Sequence, residues 1–321
     1  MAELFAPIEP YDQGVLETND GHQVYWERCG DPNGVDALYL HGGPGSGCTV
    51  NQRRLFDPEI FNVVLLDQRG SGRSRPLASD FNADLTTNTT AHLLRDLEAL
   101  RTQFAVEKWV VTGMSWGTTL ALAYAETYPE RVSAMLLALV GTTSRAEVEW
   151  MTQSVARIFP KEWDRFTSAV PASLRELRPV DAYARLLSDP NPDVRDRAAV
   201  QWCAWEDAHV SLPADSEPNP RFLDPEFRLR FARLVTHYWS NSAFLDEDQL
   251  IRDATVLEGI PGVMIHGRFD VSGPLITAYR LSQQWPTSRL EVIDDAGHGG
   301  GERFLNAVLL GLNELSQSAR A

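Results

Sequence analysis

The sequence predicts an α/β fold: a mostly parallel central sheet with helices on both faces and an inserted helical cap. Three observations predict it. From residue 35 onward, short β-rich runs alternate with segments of helical periodicity, which is typical of βαβ units. The β-rich runs are almost continuously apolar, as strands covered on both faces are. From about residue 143 to 253 the alternation stops, and this segment has helical patterns but no convincing strand.

The elements before the insertion follow in a regular order. The pattern predicts strands at 36–40 and 61–67, a helix at 88–104, a strand at 108–113, a helix at 117–128 and a strand at 133–140. The first helix has leucines at helical spacing, and an Asn/Thr cluster at its start is typical of a helix N-cap. The second helix is expected to stop near Pro129.

The insertion interrupts this order and divides the chain. It contains five of the nine tryptophans, and a proline-rich connection at 212–225 separates its helices. The alternation then resumes with a strand at 262–267, a helix at 274–285, a strand at 289–294 and a helix at 302–317. We therefore predict a core in two parts, 1–142 and 254–321, with a cap at 143–253. The cap is expected to cover the edge where open α/β sheets bind ligands.

Composition excludes several classes of function. With 29 basic and 44 acidic residues, the net charge of −15 disfavours binding to nucleic acid or to an anionic membrane surface. It is compatible with a cationic substrate such as a free amine. No stretch reaches the ~18 apolar residues of a membrane span. The N-terminal residues lack the basic region of a secretory signal.

The cysteines favour a reducing compartment. There are three, Cys29, Cys48 and Cys203, an odd number, and no CxxC or Cys/His cluster suggests a zinc site. We therefore expect free thiols and a cytoplasmic protein. The expected partner is a small peptide or small molecule, and the oligomeric state is not determined by the sequence.

The strongest chemical signal is the pentapeptide 113–117, Gly-Met-Ser-Trp-Gly. It follows a predicted strand and precedes a predicted helix, which is the context of a G-x-S-x-G nucleophile elbow. The flanking glycines leave room for a tight turn, and the hydroxyl of Ser115 would project from the sheet edge. A serine hydroxyl needs a base, and the base needs an orienting acid.

The chain supplies both partners in the order Ser, acid, His. Asp270 follows the predicted strand 262–267, and His298 follows the strand 289–294. We therefore predict a catalytic triad of Ser115, Asp270 and His298. Asp294 and Asp295 are rival acids, but they lie too close to His298 in sequence to belong to another strand end. The remaining histidines lack this context: His22, His41, His92, His209, His237 and His266.

A glycine-rich segment at 41–45, His-Gly-Gly-Pro-Gly, follows the first predicted strand. Its backbone N–H groups could stabilise an oxyanion. The expected donors are the N–H of Gly43 and the N–H of Trp116, the residue after the nucleophile. A simple turn is the alternative. The segment 69–74 contains G-x-G but neither GxGxxG nor a Walker lysine, and we interpret it as a structural turn.

Together these segments resemble the prolyl aminopeptidase (proline iminopeptidase) family of α/β-hydrolases. The resemblance rests on HGGPG (41–45), DQRGSGRS (67–74), GMSWGTTLALAYAETYPERV (113–132), HGRFD (266–270) and DAGH (295–298). It implies the α/β-hydrolase fold with an inserted cap. It also implies release of an N-terminal proline from peptides through an acyl-enzyme on serine, with no metal or cofactor.

The family holds the substrate's amino terminus with glutamates of the cap. One lies in a W-x-x-W-E segment, matched here by 202–206, so Glu206 is the expected carboxylate and Trp205 an aromatic wall. A second family glutamate would stand two residues before the HY-aromatic segment 237–239, where this chain has Val235. Losing one charged partner would weaken substrate binding by about 1.5–3 kcal/mol. Asp207 is a candidate replacement.

Two alternatives remain open at this stage. A serine esterase, lactonase or amidase acting on a neutral small molecule would suit Val235 and the Trp-rich cap. The other alternative is a binding protein that has kept the catalytic triad. Turnover of prolyl amides that requires Ser115 would argue against both.

Overall fold

A computed structural model describes residues 3–210 and 218–320. Its centre is one eight-stranded sheet with the order β1-β2-β4-β3-β5-β6-β7-β8. The strands are β1 (Asp12–Glu17), β2 (Gln23–Gly30), β3 (Val35–Leu40), β4 (Phe61–Leu66), β5 (Trp109–Met114), β6 (Val132–Ala138), β7 (Gly262–Gly267) and β8 (Ser288–Ile293). Strands β3 to β8 run parallel to one another. Strand β2 pairs antiparallel with both of its neighbours, β1 and β4. The predicted mostly parallel sheet is confirmed.

Eleven α-helices lie within the described residues. They are α1 (Val50–Arg53), α2 (Thr90–Gln103), α3 (Trp116–Thr127), α4 (Arg145–Thr152), α5 (Pro160–Ser168), α6 (Pro179–Leu186), α7 (Pro192–Val210), α8 (Pro225–Ser240), α9 (Gln249–Arg252), α10 (Ile276–Gln284) and α11 (Glu302–Arg320). Every strand and helix predicted for the two core parts is present, with ends shifted by a few residues.

Helices cover both faces of the sheet, because successive residues of a strand face opposite sides. In β3, Leu38 and Leu40 belong to the apolar cluster that contains α2, α3 and α10. Ala37 and Tyr39 belong to the other cluster, which contains α11. A parallel strand buried on both faces is apolar at consecutive positions, which is why these strands are recognisable in the sequence.

The N-terminal strands β1 and β2 have no counterpart among the predicted elements. β2 carries a charged residue, Glu27, that is fully buried. Its carboxylate accepts two hydrogen bonds from Arg53, at 2.8 and 2.9 Å, and one from Arg73 at 2.9 Å. A buried carboxylate requires such partners. Because they lie 26 and 46 residues away along the chain, the local pattern around β2 gives no sign of them.

Between β6 and β7, the described part of the chain contains helices and no strand. The core of this region is aromatic: the Phe166 ring stacks on Tyr183 at 4.4 Å and on Trp205 at 5.2 Å between centroids, and its edge meets Trp202 at 5.8 Å. The boundaries of the cap at 143 and 253 stay predictions. Part of the proline-rich connection, 211–217, lies outside the described residues.

Two features are absent from residues 3–210 and 218–320. No helix in this part of the chain is long and apolar enough to cross a membrane. No group of three or more His, Cys, Asp or Glu side chains in the same residues is arranged to hold a metal ion.

Candidate active site

Ser115 lies in a tight turn between β5 and α3. Its φ of 54° and ψ of −123° place a non-glycine residue in a strained region. The two flanking glycines are required by contacts: a Cβ at Gly113 would lie 2.3 Å from the Gly117 carbonyl oxygen, and one at Gly117 would lie 2.1 Å from the Leu40 carbonyl oxygen. The G-x-S-x-G pattern thus reflects close packing of this turn against β3.

The structure brings Ser115, His298 and Asp270 together. His298 Nε2 lies 3.1 Å from Ser115 Oγ, and His298 Nδ1 donates to Asp270 Oδ2 at 2.8 Å. The other carboxylate oxygen, Oδ1, accepts from the backbone N–H groups of Ser272 and Gly273 at 3.0 and 2.8 Å. This is the arrangement of nucleophile, base and orienting acid that serine hydrolysis needs.

Electrostatics match these roles. Burial opposes ionisation of Asp270, but the adjacent His298 and the donors at its other oxygen hold the pKa of the carboxyl below its usual 3.8. Burial likewise opposes protonation of His298, but Asp270, with a further contribution from Glu206, raises the pKa of the imidazole above 6.5. The pair therefore favours a negative acid beside an imidazole that readily accepts a proton.

The rival acids and the neighbouring histidine are engaged elsewhere. Asp294 pairs with Arg268 at 2.5 Å, and Asp295 pairs with Arg303 at 3.3 Å, both at exposed positions. His266 Nδ1 accepts from the backbone N–H of Val140 at 3.0 Å, so its Nε2 carries the hydrogen and donates to a backbone carbonyl. His266 therefore supports the fold of this edge and is not placed to act on Ser115.

The segment 41–45 lies against the nucleophile turn. A Cβ at Gly42 would lie 3.3 Å from that of Ser115, and Gly43 has a φ of +111°. Gln68 fixes the segment: its side-chain amide donates to the His41 carbonyl at 2.9 Å, and its Oε1 accepts from the Trp116 indole at 2.8 Å. As the first residue of α3, Trp116 has a backbone N–H without an intrahelical partner.

The segment 67–74 is a structural network. Arg69 makes a bidentate ion pair with the buried Asp96, at 2.6 and 2.7 Å. Asp67 accepts from the backbone N–H of Cys48 at 2.6 Å and from Arg73 at 2.8 and 2.7 Å. These contacts join the loop after β4 to α2 and to the loop before α1, which agrees with its interpretation as a structural turn.

A cavity of about 300 Å³ opens beside Ser115, lined in part by residues of α4, α7 and α8. Its polar lining residues are Ser46, Ser115, Glu206, Asp207, His209, Asn219, Ser272 and His298. Met151, Phe222, Phe231 and Trp239 form most of its apolar wall. A smaller chamber of about 50 Å³ adjoins it and shares Gly43, Ser115 and His298 in its lining. These volumes suit a small substrate.

Glu206 projects from α7 into this cavity. The residue is 8% exposed, and its Oε1 has no hydrogen-bond partner within the described parts of the chain. Burial raises the pKa of its carboxyl to about 7. A buried carboxylate oxygen without a donor is costly, and a cationic group in the cavity would offset this cost.

Trp205 does not line this cavity. Its indole N–H donates to the Met151 carbonyl at 3.0 Å, and its ring packs between Phe166 and Trp163. Adjacent residues of a helix face different directions, and Glu206 takes the direction of the cavity. Trp239, from α8, is the tryptophan that lines the cavity in its place.

Comparison with known proteins places this site in a family. The α/β hydrolase fold family matches residues 38–302. A probable proline iminopeptidase of Streptomyces coelicolor is 46% identical over 99% of both chains. The proline iminopeptidase of Xylella fastidiosa is 42% identical over 94% of this chain and 95% of its own. The chain belongs to the proline iminopeptidase family of α/β-hydrolases.

Solved structures agree with the fold of this family. The proline iminopeptidase-related protein of Thermus thermophilus aligns with a TM-score of 0.60, covering 96% of this chain and 99% of its own at 22% identity. An α/β hydrolase from a deep-sea metagenome aligns with a TM-score of 0.63 at 17% identity, covering 94% of this chain and 97% of its own. At identities this low, the structural similarity supports the α/β-hydrolase fold and no statement about function.

The iminopeptidase resemblance implies a second glutamate where this chain has Val235. The structure buries Val235 completely on α8, one turn from Phe231 and one turn from Trp239, both of which line the cavity. Asp207 also lines the cavity, and its Oδ1 accepts from the backbone N–H of Asn219 at 3.1 Å. The region around the cavity therefore differs from the family pattern at one charged position.

Proposed function

We propose that this protein is a prolyl aminopeptidase, a serine hydrolase that releases N-terminal proline from short peptides. Ser115 is the nucleophile, His298 the general base and Asp270 the residue that orients it. The relatives support N-terminal proline as the substrate, since proteins 46% and 42% identical to this chain are named probable proline iminopeptidase and proline iminopeptidase. The cytoplasmic location expected from three free cysteines belongs to the same proposal.

The position of Glu206 is the observation that supports a substrate with a free amino terminus. Glu206 is a buried carboxylate whose Oε1 has no partner among the described residues, and it lines the same cavity as Ser115 and His298. A free amino terminus bound there receives a charge-assisted hydrogen bond. We expect the carbonyl of the same residue to lie beside Ser115, which lines the same cavity. An acylated amino terminus carries no positive charge, so it cannot form an ion pair with the Glu206 carboxylate.

The proposed reaction uses these residues in turn. His298 Nε2 takes the proton of Ser115 Oγ, and the oxygen attacks the prolyl carbonyl carbon. The N–H groups of Gly43 and Trp116 stabilise the oxyanion. The tetrahedral intermediate then breaks its C–N bond, and His298 gives its proton to the leaving amine. Water, activated by the same imidazole, releases proline from Ser115.

The test compares proline p-nitroanilide with its N-acetyl form on wild type and Ser115→Ala. We expect the free amine to be preferred by at least roughly 10- to 100-fold, the effect of losing a hydrogen bond to a charged group. Ser115→Ala should lower kcat at least about 10⁴-fold. Equal turnover of the blocked and free substrates would refute an aminopeptidase.

Val235 favours a second candidate, a serine esterase or amidase for a neutral small molecule. This candidate predicts that Ser115 cleaves p-nitrophenyl esters but does not cleave prolyl amides. Val235→Glu discriminates further, because an amine-binding site should respond to an added carboxylate and a neutral site should only be destabilised by it. Rapid cleavage of prolyl amides by the wild type would dismiss this candidate.

A further inference from the structure

His209 is a buried histidine that the reaction described above does not use. It lies on α7 one turn after Glu206, and the residue is 1% exposed. Its Nε2 has no hydrogen-bond partner in residues 3–210 and 218–320. The same nitrogen lies 3.9 Å from Glu206 Oε2, too far for a direct hydrogen bond. Both residues line the cavity beside Ser115.

The contacts of His209 determine which ring nitrogen carries the hydrogen. The hydroxyl of Ser272 donates to the His209 carbonyl oxygen at 2.9 Å. Its single hydrogen is thereby used, so the 2.7 Å contact with His209 Nδ1 requires that Nδ1 be the donor. In the neutral ring, Nε2 is then an acceptor. Burial lowers the pKa of this imidazole to about 3, which keeps the ring neutral.

The cavity therefore presents two acceptors side by side, the Glu206 carboxylate and His209 Nε2, and within residues 3–210 and 218–320 no donor binds this nitrogen. A single ammonium nitrogen with two N–H groups holds its two acceptors about 4.5 Å apart, close to the 3.9 Å found here. An N-terminal proline has a secondary ammonium nitrogen with two N–H groups. One can reach Glu206, and the other can reach His209.

We propose that His209 Nε2 is the second acceptor for the substrate's amino terminus and takes the N–H that Glu206 leaves free. This inference rests on the proposed aminopeptidase function. It explains how a chain with Val235 can satisfy both hydrogens of the prolinium nitrogen with one carboxylate. Asp207 is less suited, because one of its oxygens already accepts from the backbone of Asn219.

Two matched variants separate binding from a structural role. His209→Asn keeps a donor at the position of Nδ1, and hence the contact with Ser272, but removes the acceptor at Nε2. His209→Gln keeps an acceptor near the position of Nε2 but loses the contact with Ser272. If Nε2 binds the amine, His209→Asn should lower kcat/KM for proline p-nitroanilide roughly 10- to 100-fold, mainly through KM. His209→Gln should retain most of the activity.

The integrity of Ser115 is measured in the same samples by the rate of inactivation with phenylmethylsulfonyl fluoride, which carries no amine. If the inference is correct, the ratio of kcat/KM to this inactivation rate is lower in His209→Asn than in the wild type. A constant ratio, or a greater loss in His209→Gln than in His209→Asn, would overturn it and assign His209 a structural role. If the wild type does not cleave prolyl amides, the proposed function itself fails.

Discussion

Glu206→Gln should make the stability of the protein less dependent on pH. Burial raises the pKa of the Glu206 carboxyl from 4.5 to about 7, so the folded state favours the protonated form. The resulting stabilisation is fully present below pH 4.5 and is lost as the pH rises to about 7. At about 1.4 kcal/mol for each pH unit, the loss amounts to about 3 kcal/mol.

The assay is urea unfolding of wild type and Glu206→Gln at pH 5 and pH 8. A neutral amide in the cavity has its own energetic penalty, but this penalty does not depend on pH and cancels between the two conditions. The free energy of unfolding of the variant, relative to wild type, should rise by about 2–3 kcal/mol from pH 5 to pH 8. The exposed Glu176→Gln controls for removing one charge from an acidic protein.

A difference between variant and wild type that stays constant from pH 5 to pH 8 would refute the reasoning. It would mean that Glu206 is solvated or paired in the folded protein. The same variant should cleave proline p-nitroanilide at least roughly 10-fold more slowly in kcat/KM, because it lacks the charge that binds the amine. A more stable but less active variant is the signature of a residue retained for function.

Two further predictions concern the nucleophile and its base. Hydrolysis should decrease as the pH falls through the pKa of His298, which Asp270 raises above 6.5 against the effect of burial; a kcat that is flat from pH 5 to pH 9 would contradict a histidine base. Gly117→Ala should lower kcat by at least about 100-fold, because its Cβ would lie 2.1 Å from the Leu40 carbonyl oxygen. A kcat of Gly117→Ala equal to that of the wild type would contradict the packing argument.

The strands and helices that we predicted between residues 36 and 140 and between residues 262 and 317 were recognisable from local patterns, whereas β1, β2 and α1 were not. A parallel strand buried on both faces is apolar along its length, and the helices between such strands repeat with a different period. The order of Ser115, Asp270 and His298 was predictable for the same reason. Each follows a recognisable strand, and the carboxyl ends of parallel strands meet at one edge of the sheet.

The amino-acid sequence by itself therefore determined the alternation of strands and helices, the nucleophile turn and the three side chains that meet there. Only the tertiary structure decided which cap residues face the cavity. Trp205 and Glu206 are neighbours in the chain, yet one packs into the aromatic core and the other lines the cavity. The ring of His209 contacts Ser272, which is 63 residues away along the chain. Burial and hydrogen bonding between distant residues are properties of the folded chain, so no local pattern contains them.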